Sequence, residues 1–277
     1  MNDSELLKHR AHHFFVSPES VRRGTVTISG PQAHQIENVL RLGVGERIVV
    51  LDNSGWRYDA EIISAKDSEV VCQVKSKSLV TTEPRTKITL YQGLLRSSKF
   101  EQVLQKCTEL GVVSFVPVIT ERSLIGNLQS VSGAKSERWN RIIVEAAEQS
   151  GRGKLPTLRP PVLLQQACEE VRGISLIAWE SEKDRSFRSV IKEKLGSTGS
   201  QTEHALRPFA VNIFIGPEGG FSPREVQIAR AYGITPVGLG ARVLRSETAA
   251  LVVTALVLYE AADMEQTFGD SGSIVVD

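Results

Sequence analysis

Between residues 9 and 80 the apolar positions come in short runs separated by polar turns. Phe14–Val16, Thr25–Ile28, Arg47–Asp52, Tyr58–Ile63 and Glu69–Val74 read as strands. Asp52-Asn53-Ser54-Gly55 reads as a hairpin turn between two of them. One helical pattern interrupts, Pro31–Leu42, with Ile36, Val39 and Leu40 on one face. Short strands around a single helix predict a small β-barrel module over residues 9–80. Val80–Arg85, with two threonines and a proline, reads as a linker.

From Lys87 the period changes. Strand patterns at Ile88–Leu94, Val112–Ile119, Ile174–Trp179, Val211–Ile215 and Ile234–Leu239 alternate with helical patterns. The helices are Phe100–Leu110 (ended by Gly111), Glu137–Gln149 (Ser136 as cap), Ser186–Leu195, Pro223–Tyr232 and Glu247–Ala261. Such alternation predicts crossovers and a largely parallel sheet, hence an α/β domain over residues 86–264. The polar insertion Gly196–Pro208 and the tail after Met264 carry no apolar period.

The segment 211–260 concentrates the chemistry. Val211–Ile215 stops at Gly216-Pro217-Glu218-Gly219-Gly220, and a helix start follows with Ser222 as N-cap, Pro223 at N1 and Glu225 at N3. Ile234–Leu239 ends at Gly240, and a polar loop through Arg242, Arg245 and Glu247 leads to the next helix. Two strands thus end in glycine-bearing loops, and open α/β sheets bind ligands outside the carboxyl ends of their strands. No Gly-Lys-Ser/Thr follows the first loop, so it is not a phosphate loop, and it lacks the dinucleotide spacing. Arg242, Arg245 and Glu247 are costly in apolar surroundings unless paired or used. Either they recognise a nucleic acid, or they form a salt bridge at a helix entry. Ala249–Tyr259 is apolar all round, which suits a domain core or a subunit interface equally.

Charge and composition narrow the class. A net charge of +1 over 277 residues excludes a molecule that binds nucleic acid by bulk charge, so any basic site is local. Basic residues gather at the N-terminus (Lys8, Arg10, Arg22, Arg23), at Arg41, at Arg96 and Lys99, and around Arg138, Arg141, Arg152 and Lys154. Singly they read as solvated surface charges; together, on a small β module beside a parallel-sheet domain, they are consistent with an RNA path. Cys72, Cys107 and Cys168 are far apart and read as buried free thiols. The five histidines form no ligand pair, so no metal is expected. No apolar run approaches spanning length and the N-terminus has no apolar leader, so the expectation is a cytoplasmic protein with no membrane association.

Several ordered segments carry a resemblance. They are Phe14-Phe15-Val16, His34 with Val39-Leu40-Arg41-Leu42, Lys99…Lys106…Glu109-Leu110-Gly111, Glu121-Arg122-Ser123, Arg138-Trp139, Glu145–Ser150, Ile215–Gly220, and Leu239-Gly240 with Arg242–Ala249. Through them the chain resembles the RsmE-type 16S ribosomal RNA methyltransferases of the SPOUT superfamily, which methylate N3 of a uridine. The family departs from this chain where it usually carries a basic residue before the aromatic pair; here that position is His13.

The resemblance implies a PUA-like N-terminal β-barrel for RNA, a C-terminal α/β domain with a deep trefoil knot, and a homodimer acting on 16S rRNA of the small subunit. It implies S-adenosylmethionine in the knot, held by Ile215, Gly216, Glu218, Gly219, Leu239, Gly240, Val243, Leu244, Thr248 and Ala249. Arg245 would stabilise charge on the uracil oxygens, with Glu247 positioning it; the group that removes the N3 proton is left unnamed. The RNA-facing set becomes Arg10, His13, Arg41, Arg96, Lys99, Arg122 and Arg152. The alternatives are a SPOUT enzyme acting on another RNA or atom, and a non-catalytic ribosome-assembly module.

Overall fold

The computed structural model describes residues 12–66, 68–123, 133–196 and 209–265. Arg10, most of the insertion at 196–208 and most of the tail after Met264 lie outside them. The chain divides into two units, with the first break between Glu83 and Pro84; residues Ala147–Leu155 belong to the first unit.

In the first unit a six-stranded sheet runs in the order β1-β4-β5-β6-β3-β2. Its strands are β1 (His13–Phe15), β2 (Val21–Arg22), β3 (Thr25–Ser29), β4 (Arg47–Leu51), β5 (Trp56–Lys66) and β6 (Glu69–Leu79). β1 pairs with β4 in parallel and the remaining neighbours pair antiparallel. The predicted β module is present, with β2 as an added short strand. The run Ile48–Leu51 is continuously apolar because both faces of β4 are covered. Ile48 and Val50 join Phe14, Val26, Ile28, Tyr58 and Ile62 on one side, while Val49 and Leu51 join Phe15, Ala147, Val80 and Leu155 on the other.

α1 (Pro31–His34) continues into a wider π turn, Gln35–Val39. The extra residue per turn rotates the apolar stripe. Ile36 is buried and Leu40 packs on the core, but Val39, expected on the same face, is 65 % exposed.

The stretch read as a linker is pinned. Val80 packs so closely on Gly153 that a Cβ there would lie 2.6 Å from it. The Thr82 hydroxyl donates to the Gly151 carbonyl at 2.8 Å. Glu83 accepts from the Arg152 guanidinium at 2.8 Å and from the Gly153 and Lys154 amides at 3.0 and 3.2 Å.

The second unit is an all-parallel sheet in the order β10-β8-β7-β12-β11-β13, with β9 also on β8. Its strands are β7 (Thr86–Gly93), β8 (Ser114–Ile119), β9 (Thr157–Leu158), β10 (Val162–Leu163), β11 (Ile174–Ala178), β12 (Phe209–Ile215) and β13 (Thr235–Val237). The helices are α2 (Ser97–Leu110), α3 (Gly133–Ser150), α4 (Leu164–Glu170), α5 (Phe187–Gly196), α6 (Pro223–Ala231) and α7 (Ser246–Glu260). β9 and β10 are too short to show a period and are absent from the sequence reading. α3 begins at Gly133, so Ser136, expected as its cap, lies inside the helix.

Alternation along the central strands buries both faces, as a parallel sheet requires. Ile88, Leu90, Phe115, Leu176, Val211 and Ile213 face the core shared with α2, α3, α5 and α7. Val116, Ile177 and Phe214 face the core shared with α4 and α6. Tyr91 and Phe214, paired in register on β7 and β12, stack at 4.3 Å. α2 buries Phe100, Val103, Leu104 and Cys107 at helical spacing and ends at Gly111, whose φ of 117° is left-handed. The three thiols are buried, which pushes Cys72 up to about 11 and Cys107 and Cys168 up to about 12.

β7 and β12 are neighbours, yet the chain leaves β7 for β8 on one side and β12 for β13 on the other. This is the topological switch point, where a crevice opens at the carboxyl ends of an open sheet.

Candidate active site

A cavity of about 400 Å³ occupies that position. Its walls are Ala178–Glu180 beyond β11, Ile215–Gly220 at the end of β12, Gly238–Arg245 beyond β13, the first turn of α7, and Lys99 from α2. Each predicted element contributes where its strand ends.

Local chemistry shapes the first loop. Ser222 and Glu225 form the predicted capping box: the Glu225 amide donates to the Ser222 hydroxyl at 3.2 Å and the Ser222 amide to the Glu225 carboxylate at 2.8 Å. The other Glu225 oxygen accepts from the Glu121 amide at 2.8 Å, tying the Thr120–Ser123 turn to α6. Arg122 donates to the Gly219 carbonyl at 3.0 Å. Gly220 needs its glycine for its backbone, whose φ is 67°, and the exposed Glu180 carboxylate packs against it, 2.8 Å from where a Cβ would lie.

A buried polar knot joins this loop to α7. The Ser246 hydroxyl donates to the Gly216 carbonyl and accepts from the Gln92 amide nitrogen at 2.9 Å. That nitrogen also reaches the Gly93 carbonyl at 3.0 Å.

Most residues expected around a cofactor meet here. Ile215, Gly216, Glu218, Gly219, Leu239, Gly240, Val243, Leu244 and Ala249 line the cavity; Thr248 is exposed outside it, on the turn's other side. Leu239 and Leu244 are part-buried against the main core, whereas Val243 is 82 % exposed. Arg245 and Glu247 both line the cavity. No ion pair joins them: Glu247 lies 3.6 Å from Lys99, while Arg242 and Arg245 are exposed without a salt bridge among the described residues. The expected positioning of Arg245 by Glu247 thus has no ion pair behind it among the described residues.

The RNA-facing set scatters. Lys99 turns into the cavity, 4.0 Å from Glu218 and 3.6 Å from Glu247. The Arg96 side chain is exposed while its amide donates to Glu218 at 3.2 Å. Arg122 braces Gly219, and Arg41 is exposed at a left-handed φ of 56°. His13 is half-buried, and burial followed by the Arg57 charge lowers its pKa below the ordinary imidazole value, which favours the neutral ring. Arg152 is 3 % exposed and paired with Glu83 at 2.8 Å; its donors are spent inside the first unit, which removes it as an RNA contact. Glu180 was missed although it follows a predicted strand, a position that itself signals a ligand-lining role.

The cavity fits a small amphipathic molecule with charged groups. Apolar walls (Ile215, Leu239, Leu244, Ala249) alternate with glycine loops that allow close backbone approach. One Glu247 carboxylate oxygen is buried without a hydrogen-bond partner among the described residues, which leaves this carboxylate with unused acceptor capacity. Among the described residues no cluster of three His, Cys, Asp or Glu could hold a metal ion, and no helix is long and apolar enough to cross a membrane.

Comparison with known proteins agrees with this geometry. Residues 82–258 match the model of the RNA methyltransferase domain, and residues 28–75 that of the RNA methyltransferase PUA domain. The ribosomal RNA small subunit methyltransferase E of a Synechocystis strain is 34 % identical over 247 residues, 88 % of this chain and 76 % of that protein. The Bacillus subtilis protein of the same name is 30 % identical over 85 % of this chain and 90 % of its own length. The crystal structure of the Neisseria gonorrhoeae ribosomal RNA small subunit methyltransferase E bound to S-adenosyl methionine superposes with a TM-score of 0.77 at 28 % identity, covering 90 % of this chain and 98 % of that one. A PUA-type module, a parallel-sheet methyltransferase domain and relatives matched over most of their length place the chain in the ribosomal RNA small subunit methyltransferase E family.

Proposed function

We propose that the chain is an S-adenosylmethionine-dependent methyltransferase that modifies N3 of a uridine in small-subunit ribosomal RNA. The observation that carries this reading is the cavity at the switch point, walled by the glycine loops beyond β12 and β13 and edged by two arginines without a salt bridge among the described residues. S-adenosylmethionine supplies a methyl group made electrophilic by its sulfonium. Ile215, Leu239, Leu244 and Ala249 offer it apolar contact, and Gly216, Gly219 and Gly240 let the backbone approach. Glu218 would hold it from the loop. Val243 would lose most of its exposure against an apolar ring, a gain of up to about 2 kcal/mol.

The protein's own work is alignment and electrostatics. Neutral N3 carries a proton and is a poor nucleophile, so charge developing on the uracil oxygens needs donors fixed in advance. Arg245, which lines the cavity and makes no salt bridge among the described residues, would be one.

The reading extends to assembly. A homodimer is supported by Leu256 and Tyr259, 40 % and 70 % exposed on a helix whose other face is core. We further infer the trefoil knot of the SPOUT fold, a cytoplasmic location and action on the small ribosomal subunit. Domain assignments of 9–80 for RNA and 86–264 for catalysis stand as part of the proposal.

Mass spectrometry of nucleosides from small-subunit rRNA tests it. In a strain lacking the gene, one N3-methyluridine should vanish and return with the wild-type gene. An unchanged methylation profile would overturn the proposal.

A further inference from the structure

Glu247 heads α7 with its carboxylate 3.6 Å from the Lys99 ammonium, and its side chain is 16 % exposed. One of its oxygens is buried with no hydrogen-bond partner among the described residues. The other charged groups facing the cavity are Glu180 beyond β11, Glu218 beyond β12, and Arg242 and Arg245 before α7. Glu218 is engaged by the Arg96 amide at 3.2 Å and lies 4.0 Å from Lys99. Glu180 is exposed, packed against Gly220. Of these carboxylates Glu247 therefore combines a cation at its side with acceptor capacity that the described residues leave unused. Rotation about χ3 exchanges its two oxygens at little cost.

The edge of uracil presents an acceptor, a donor and an acceptor: O2, N3–H and O4. A protein complement is a donor, an acceptor and a donor, and the cavity holds one in Lys99, Glu247 and Arg245. We propose that Glu247 reads the N3–H of the target uracil and accepts its proton, with Lys99 and Arg245 donating to the two flanking carbonyl oxygens. This rests on the uridine-N3 reading given above. The N3–H bond breaks, its electron pair stays on N3, and the charge spreads over O2 and O4 beside the two cations. That pair forms the bond from N3 to the methyl carbon as the carbon–sulfur bond breaks, its pair remaining on sulfur as a neutral thioether. The proton then passes from Glu247 to water, one for each methyl transferred. Cytosine is rejected by the same groups, since its N3 is a lone pair that would face the Glu247 carboxylate.

The test uses the full-length protein, S-adenosylmethionine, and small ribosomal subunits lacking the modification. Glu247→Gln should bind S-adenosylmethionine within about 3-fold of wild type by calorimetry. Its single-turnover rate should fall about 10²-fold at pH 7, the usual scale for a lost general base. The deficit should shrink at least 10-fold by pH 9.5, where uracil sheds its own proton. Glu247→Asp, which keeps the carboxylate, should be slowed with a wild-type pH profile. Lys99→Met should lower the rate without steepening the profile.

A deficit in Glu247→Gln that is the same at every pH, or a loss confined to cofactor binding, would overturn the proposal. Should the amide variant not fold, a wild-type rate or a steepened profile in Glu247→Asp would do so. Failure of the wild-type protein to methylate uridine would instead remove the functional reading on which it rests.

Discussion

The Ser246 hydroxyl donates to the Gly216 carbonyl oxygen at 2.5 Å, linking the first residue of α7 to the loop that ends β12. Both residues are buried, and the Gln92 amide closes the knot from β7. Three segments that meet only in the folded sheet thus share one small polar cluster. Ser246→Ala should leave the Gly216 carbonyl without this donor and cost about 1–3 kcal/mol. Chemical denaturation should show that loss, together with weaker S-adenosylmethionine binding by calorimetry.

Gly93 closes β7 against the same loop. A Cβ there would lie 2.5 Å from the Pro217 nitrogen, a backbone atom that cannot yield without moving the loop. Gly93→Ala should cost about 1–3 kcal/mol, the range for overpacking. It should also weaken cofactor binding at least ~10-fold, since 1.4 kcal/mol is one decade.

Arg245 acts on charge rather than on packing. Its guanidinium is exposed at the cavity and makes no salt bridge among the described residues, so Arg245→Ala should leave thermal stability and cofactor affinity close to wild type. Methyl transfer should fall at least ~10²-fold, as for loss of one preorganised donor. A folded, cofactor-binding variant with the wild-type rate would count against the assignment.

Arg152 behaves in the opposite way. Breaking its buried pair with Glu83 removes the charged partner of a carboxylate that keeps only the Gly153 and Lys154 amides, at a cost of about 3 kcal/mol. Arg152→Met should therefore lower the melting temperature of the first unit. The salt dependence of RNA binding should be unaltered, because no phosphate contact is lost.

Asp263, just beyond α7, accepts from the Arg85 amide at 3.1 Å and the Thr86 amide at 2.7 Å. Burial opposes its ionisation, but the hydrogen bonds from Thr86 and Arg85 outweigh it and hold the carboxyl below its ordinary value. A depressed folded pKa stabilises fully above the unfolded value, about 3.9, and the benefit is lost as pH falls through the folded pKa. Wild-type stability should thus fall across that acidic window, and Asp263→Asn should flatten the fall in urea titrations at successive pH values.

Much of this architecture is local, and local rules are written in the chain. The capping box at Ser222 and Glu225 needs two side chains three residues apart, and the hairpin at Asp52–Gly55 needs residues that tolerate left-handed backbone, as Asn53 and Gly55 do. The strand and helix patterns, the two glycine loops and their likeness to a methyltransferase family were all legible. So was the full apolar character of α7, though not its division into a core face and the exposed Leu256 and Tyr259.

Only the tertiary structure decided what charged residues are for. Lys99, Arg122 and Arg152 look alike in sequence, yet one faces two carboxylates in the cavity, one braces Gly219 and one is buried against Glu83. A cation's role depends on which oxygen lies within about 4 Å, and those oxygens come from segments far away in the chain. Periodicity reports how a residue faces its own element. The pairing of Glu247 with Lys99 depended on how two elements met.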